Sequence, residues 1–267
     1  MNKPPFAAPQ GFKNGLHPPE TVETLWFIFS KDLLLISNNK TDLPLCHDLP
    51  LRRSLYLGTL ENKHLFAGEV QSEEAAPSGW NWSHLIHLHT LLNEDLYAIA
   101  GRALQLIHWD RSHQFCGACG NLTLLRQNER CRECKACGQL AYPKLAPVVM
   151  ALVKRENKIL LARGPHFPGT FYSVLAGFVD PGETLEQCVA REVFEEVGLT
   201  VKNIQYFNSQ PWPFSYSILI GFTCEWLKGE IQIDPSEIEA ADWFDSTNLP
   251  ELPPKLSLAR MLIDSQL

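Results

Sequence analysis

Two groups of residues in this chain have the types and spacing that chemistry requires. The first is acidic: Glu183, Glu192, Glu195 and Glu196, with Arg191 among them, lie between Gly177 and Gly198-Leu199. The second is thiol-rich, with five of the eight cysteines between positions 116 and 137. Clustered carboxylates present the hard oxygen donors that suit Mg²⁺ or Mn²⁺. Cations held in this way can polarise a bound group and acidify a bound water, whose proton a carboxylate can take. The pairs Cys116-Gly-Ala-Cys119-Gly120 and Cys134-Lys-Ala-Cys137-Gly138 are matching knuckles. Their four thiolates make a closed tetrahedral Zn²⁺ site, structural rather than catalytic. Cys131 could pair with Cys134 but lacks the glycine that completes a knuckle, so it is surplus. A redox thiol cluster is the competing reading.

The acidic segment must be helical to work. Pro181-Gly182 ends the preceding strand, Thr184 to Val197 contains neither Pro nor Gly, and Gly198 stands where a left-handed helix terminus is expected. At about 100° per residue, Cys188, Val189 and Val193 fall within about 80° of Leu185 and mark the inward stripe. Glu192 and Glu196 fall within about 20° of Leu185, inside that stripe, with Glu195 about 80° away. A solvated acidic face is the usual reading of such a helix. It fails here because the acids share the buried side, where carboxylates stay ionised only if cations compensate them. Phe194 projects to the opposite side, which must also find something apolar.

Around these groups the chain falls into three regions, with expected bounds 1–113, 114–143 and 144–267. In the first, Trp26 to Phe29, Leu33 to Ile36, Leu55 to Leu57 and His64 to Phe66 read as strands. A helix with Leu96, Ile99, Ala100, Ala103, Leu104 and Ile107 on one face follows them. In the last, strands are expected at Val148–Val153, Ile159–Ala162, Tyr172–Val179 and Ile218–Cys224, with a closing helix over Pro254–Leu262. The class is α/β (α+β): a sandwich of mixed sheet and helices, preceded by a zinc ribbon and a smaller N-terminal α+β domain. A formal net charge of −7 disfavours nucleic-acid binding through bulk phosphate neutralisation. No apolar run approaches the roughly 20 residues of a membrane span. Without a recognisable secretion signal, the clustered cysteines fit a reducing, cytoplasmic setting. The terminal Ser265-Gln266-Leu267 lacks the basic middle residue of a peroxisomal address. His84, His87 and His89 suit neither one helix face nor one strand face, and Trp80 and Trp82 read as packing residues.

The acidic segment, Gly177-x5-Glu183-x7-Arg191-Glu192-Val193-x-Glu195-Glu196-x-Gly198-Leu199, resembles the Nudix box at every fixed position. The resemblance implies a loop–helix–loop on a mixed sheet. Glu192, Glu195, Glu196 and the Ala176 carbonyl would be metal ligands, with Arg191 and Glu183 bracing loop and helix. Downstream, Ser209-Gln210-Pro211-Trp212-Pro213-Phe214-Ser215-Tyr216-Ser217 puts proline on both sides of a tryptophan. This fixes the backbone, forbids a central strand position and predicts a rigid aromatic loop. A hydrophobic plug over the core is the alternative.

That segment resembles the signature of the NADH pyrophosphatase subgroup, with Ser215 in place of a proline. The subgroup cleaves NADH or NAD⁺ to nicotinamide mononucleotide and AMP. The likeness implies substrate contacts at Gln210, Pro211, Trp212, Pro213, Phe214 and Ser217, and a ring sandwich between Tyr142 and Phe178. Weaker matches fall at Glu129 and Ala259. Glu237, in Ile233-Asp-Pro-Ser-Glu237, becomes a further metal ligand, and the family's zinc ribbon and homodimer are expected too. Rival readings keep the chemistry but take NAD-capped RNA or ADP-ribose, or replace catalysis by nucleotide sensing. A sensor should have lost box glutamates, and this chain keeps them all.

Overall fold

Fifteen strands form among the described residues and pair into three sheets. The computed structural model describes residues 3–20, 23–39, 42–45, 49–71, 76–165, 167 and 169–267. Cys46 lies outside them. Two units form: one from Phe6–Lys144 with Pro213–Tyr216, the other from the residues up to Pro5 with Leu145–Trp212 and Ser217–Leu267.

In the first unit, β1 (Lys13–Asn14), β2 (Thr24–Ser30), β3 (Leu33–Ser37), β4 (Leu51–Leu60), β5 (Lys63–Val70) and β6 (Trp80–His84) make one sheet. Its order is β1-β4-β5-β2-β3-β6, with β2 and β5 parallel. Trp80 and Trp82 pack beside Ile28, Leu35 and Val70, as packing residues should. Helix α1 (Glu94–Ser112) starts on Asn93, whose side chain accepts from the backbone N–H groups of Asp95 and Leu96, relieving two otherwise unpaired donors. Strands β7 (Thr123–Leu125), β8 (Arg132–Cys134) and β9 (Leu140–Ala141) form the small sheet of the cysteine module. A buried ion network holds this unit together. Asp110 of α1 pairs with Arg132 of β8 and, at 3.2 Å, with Arg53 of β4, and Glu69 of β5 pairs with Arg53 and, at 3.3 Å, with Arg111.

In the second unit, β10 (Ala146–Arg155), β11 (Lys158–Arg163), β12 (Leu175–Phe178), α2 (Leu185–Val197), β13 (Thr200–Trp212), β14 (Ser217–Lys228), β15 (Ala240–Phe244) and α3 (Leu258–Asp264) form a mixed sheet between helices. The order is β13-β14-β10-β11-β15, with β12 also paired to β10. β10 runs parallel to β14 and antiparallel to β11 and β12. The period-two rule for strands places the core. Val149, Ala151 and Val153 point to the α2 side with Cys188, Val189, Val193 and Val197. Val148, Met150 and Leu152 point to the other side, with Leu258, Ala259, Leu262 and Ile263 of α3.

Several expectations are revised. The strand expected over Tyr172–Val179 is only Leu175–Phe178, and the closing helix starts at Leu258 behind the Ser257 cap rather than at Pro254. The aromatic loop is mostly strand: β13 runs through Trp212, with Pro211 opposite Ile218 and Trp212 opposite Ser217. β13 is an edge strand, where a proline's missing N–H interrupts no ladder. Only Pro213–Tyr216 remain as the turn. Phe194, expected to find apolar cover, is 61 % exposed among the described residues.

Gln210 is fully buried with its amide bonded at both ends. Nε2 donates to the Leu256 carbonyl at 2.9 Å, and Oε1 accepts from the Leu258 N–H at 2.7 Å. It therefore braces β13 to the start of α3 rather than offering a free group to a ligand. Gln210→Ala should cost about 1–3 kcal/mol in denaturant unfolding, because two buried backbone groups lose their partners.

Candidate active site

The geometry of the acidic site starts with its helix. Thr184 and Gln187 form a reciprocal capping box, and Gly198 ends α2 in the left-handed region at φ 72°, as the sequence predicts. Cys188, Val189, Val193 and Val197 are fully buried, and Glu192 and Glu196 are buried among them at 8 % and 5 % exposure. The inward placement of the two acids is thus a property of the helix itself. β12 leaves room for them: a Cβ on Gly177 would lie 1.8 Å from the Glu192 carboxyl carbon, so a side chain there would displace that carboxylate from its place.

Arg191 ties the loop to the helix. Its Nε and Nη2 donate to the two oxygens of Glu183 at 3.0 and 2.6 Å, and Nη2 also reaches the Phe178 carbonyl at 3.0 Å. Nη1 donates to Glu192 at 2.7 Å and Glu195 at 3.0 Å. Such a planar, bidentate fit is specific to arginine. The Arg191 guanidinium, aided by the Asp180 N–H, holds the Glu183 carboxyl down to about 2, so Glu183 is a permanent anion of the brace.

Glu192, Glu196 and Glu237 each bring a carboxylate oxygen within 4.8 Å of the others. Glu237 gets there through a turn that sequence reading passed over. The Asp234 N–H donates to the Glu196 carbonyl at 3.0 Å, the Asp234 side chain accepts from the Ser236 N–H at 2.8 Å, and the Glu237 N–H donates to the Asp234 carbonyl at 3.1 Å. The Asp-Pro-Ser sequence was the available signal for that turn. Glu195 is not in this cluster; it is exposed and bonded to Arg191. Ala176, paired with Met150, gives a backbone hydrogen bond to Glu196. Burial first, then the charges of Glu192 and Glu237, push Glu196 up to about 8, and burial also raises Glu192. Glu196 Oε2 is buried with no hydrogen-bond partner among the described residues. A partnerless acceptor facing two more carboxylates fits a divalent cation.

The thiol site is equally well formed. Sγ separations are 3.6 Å for Cys116–Cys137, 3.5 Å for Cys119–Cys134 and 3.4 Å for Cys119–Cys137. A tetrahedron with Zn–S about 2.3 Å has edges near 3.8 Å, so the four cysteines fit zinc. Cys131 is buried outside the cluster, its thiol on the Arg132 carbonyl at 3.4 Å. His84, His87 and His89 join no such group among the described residues.

The remaining candidates are dispersed. Phe178 and Tyr142 are exposed, and the Tyr142 hydroxyl donates to Glu129 at 2.8 Å. Pro211 and Trp212 end β13, Trp212 lying half-buried on the α3 side of the sheet. Ser217 and Ala259 are buried, and Ala259 spends its methyl on that core. Pro213 and Phe214 belong to the first unit.

Two outcomes follow. The purified protein should carry one zinc per chain, and Cys134→Ser should lose it by elemental analysis. Because the raised Glu196 group keeps its proton in the folded state, metal-free stability should be full below the ordinary carboxylate range and decline as pH rises to about 8. Thermal melts in chelator should show that decline, and a divalent cation or Glu196→Gln should flatten it.

Comparison with known proteins completes the picture. Residues 144–263 match the NUDIX domain, 111–142 the NADH pyrophosphatase zinc ribbon domain, and 23–109 the NADH pyrophosphatase-like rudimentary NUDIX domain. The NAD-capped RNA hydrolase NudC of Deinococcus radiodurans is 40 % identical over all of this chain and 96 % of its own length. Its namesake from Chromobacterium violaceum is 39 % identical over 97 % of this chain and 95 % of its own. Among solved structures, a NUDIX hydrolase from Nitrosomonas europaea is similar over 54 % of this chain and 85 % of its own, with 23 % identity and a TM-score of 0.47. The chain belongs to the NADH pyrophosphatase family of Nudix hydrolases and is a metal-dependent pyrophosphohydrolase.

Proposed function

We propose that this enzyme cleaves the diphosphate of NADH or NAD⁺ to nicotinamide mononucleotide and AMP, using Mg²⁺ or Mn²⁺ at Glu192, Glu196 and Glu237. The observation that carries this reading is the partnerless, buried Glu196 Oε2 within reach of the other two carboxylates. When bound, the cation would neutralise the diphosphate and acidify a water. The residues do the rest. Glu183 and Arg191 hold Glu192 at its angle, and Glu195 stands exposed beside them. A carboxylate of the box accepts the proton as the water oxygen bonds to phosphorus and the bridging oxygen leaves. Phe178, with its ring exposed, is the candidate of its unit for stacking on a flat base; within its own unit Tyr142 is exposed and oriented by Glu129. Trp212, half-buried on the α3 side of the sheet, is the candidate that the resemblance of its segment to the subgroup's signature adds. The Ala176 carbonyl is the proposed backbone ligand.

The same chemistry extends to NAD-capped RNA, the substrate in the names of the two bacterial relatives, where the diphosphate is unchanged and the adenosine carries a 3′ chain. A homodimer is proposed by likeness to the family. Seven described cysteines are free, in keeping with a reducing, cytoplasmic compartment. No helix among the described residues is long and apolar enough to cross a membrane.

Purified enzyme with Mg²⁺ or Mn²⁺ should turn over NADH and NAD⁺ in preference to ADP-ribose and diadenosine polyphosphates, releasing nicotinamide mononucleotide. Faster turnover of ADP-ribose would overturn the substrate assignment. Glu196→Gln should lower kcat by about 10²-fold or more with the fold intact, and near-normal rates would remove the metal-site reading.

A further inference from the structure

Arg53, Arg111, Arg126 and Arg132 of the first unit each pair with a carboxylate. Arg102 of α1 and Arg130, just before β8, do not: among the described residues neither has an acidic partner. Acids are not scarce, since the chain carries 30 Asp and Glu against 23 Lys and Arg. The two guanidiniums converge instead on a neutral side chain. Asn14 of β1 accepts at Oδ1 from Arg102 Nη2 at 2.9 Å and from Arg130 Nη2 at 3.4 Å. Arg130 Nη2 also donates to the carbonyls of Gly15 at 2.6 Å and Tyr56 at 3.0 Å. Gly15 permits that approach, because a Cβ there would stand 2.5 Å from Tyr56 Cε1. The Phe12 ring backs Arg102, with its centroid 5.3 Å from Cζ.

These neutral oxygens orient the pair but cancel neither charge. Burial lowers both groups, and the Arg102 charge adds to it at Arg130, which is held down to about 10. The Nε of each is buried without an acceptor. The Nη1 of each also makes no hydrogen bond among the described residues, but it is not sealed inside the protein. Each guanidinium therefore keeps one open nitrogen, and the shared Asn14 oxygen holds the two groups side by side. Half-buried like charges without a counterion destabilise a fold, and an anion that meets both relieves them. A guanidinium fork matches the oxygens of phosphate. Two positive charges match its dianion, whereas a carboxylate would leave one of them uncompensated.

We propose that Arg102 and Arg130, set in place by Asn14, form a site for a dianionic phosphate group in the N-terminal unit. This goes beyond the diphosphatase reading and does not rest on it, since the carboxylates that would hold the catalytic cation belong to the other unit. Inorganic phosphate and a nucleoside monophosphate present the same group. AMP, a product of the proposed reaction, is the monoester to compare.

The test is calorimetric titration of inorganic phosphate, and separately of AMP, into the full-length, zinc-loaded protein. Ionic strength is held constant, no Mg²⁺ or Mn²⁺ is added, and the pH stays well above about 6, where phosphate is a dianion. Wild type should bind one anion per chain. Arg102→Gln and Arg130→Gln should each weaken binding about tenfold or more, as loss of a charged hydrogen bond implies. Arg52→Gln, which removes an exposed arginine outside the pair, should leave it unchanged. Should a Gln variant fail to fold, Arg102→Lys and Arg130→Lys keep the charge without the fork and should still bind several-fold more weakly. Equal affinity for both ligands would assign the site to the phosphate group alone, tighter AMP to a nucleotide, and tighter phosphate to the free ion. No saturable binding by wild type, or wild-type affinity in the Arg102 and Arg130 variants, would overturn the proposal.

Discussion

Burying two carboxylates on the core side of one helix is a cost that little in the surrounding protein offsets. Glu192 and Glu196 lie in the stripe that holds Val189 and Val193, with Glu237 close by. Desolvation and mutual repulsion both favour the protonated form, and the rise of Glu196 to about 8 expresses that. A divalent cation would resolve the conflict by giving each oxygen a partner, so metal binding and ionisation of these carboxylates would be one event. The structure around α2 serves that arrangement. Gly177 clears space for one carboxylate, the Asp234 turn delivers a third, and the capping box and Gly198 fix where the helix starts and stops.

Arg191 could have been the neutralising partner but is engaged elsewhere. Its guanidinium forms a bidentate pair with Glu183 and reaches only one edge of the cluster, at Glu192. Among the described residues, that division leaves Glu196 without an ion-pair partner. The thiol site is a different case, in which the metal closes a small module with little core of its own. There the ion network of Asp110, Arg132, Arg53 and Glu69 links ribbon, helix and sheet within one unit.

The acidic helix was legible because a 3.6-residue period and unbroken composition decide which face goes inward; Val189, Val193, Glu192 and Glu196 all lie where that period puts them. The four zinc ligands were legible because each pair is local and glycine-completed. Non-local pairing was not. The prolines flanking Trp212 made its segment read as a loop, because local sequence does not say that Pro211 and Trp212 will pair with Ile218 and Ser217 on an edge strand, where proline is tolerated. Gln210 read as a ligand contact because nothing in the local sequence says that Leu256 and Leu258 will take its amide. Phe194 was expected to find apolar cover on angle alone and remains exposed, because the period says which way a side chain points but not whether anything stands there.

The central claim is that the buried carboxylates and the cation exchange a proton for a metal. Calorimetric titration of Mn²⁺ into the metal-free enzyme at pH 7, repeated in buffers of different ionisation heat, counts the protons released. The account predicts release of about one proton per site, falling toward zero as the titration is moved above about pH 8 or made with Glu196→Gln. Binding that releases no proton at pH 7, or that releases the same number from Glu196→Gln, would contradict it.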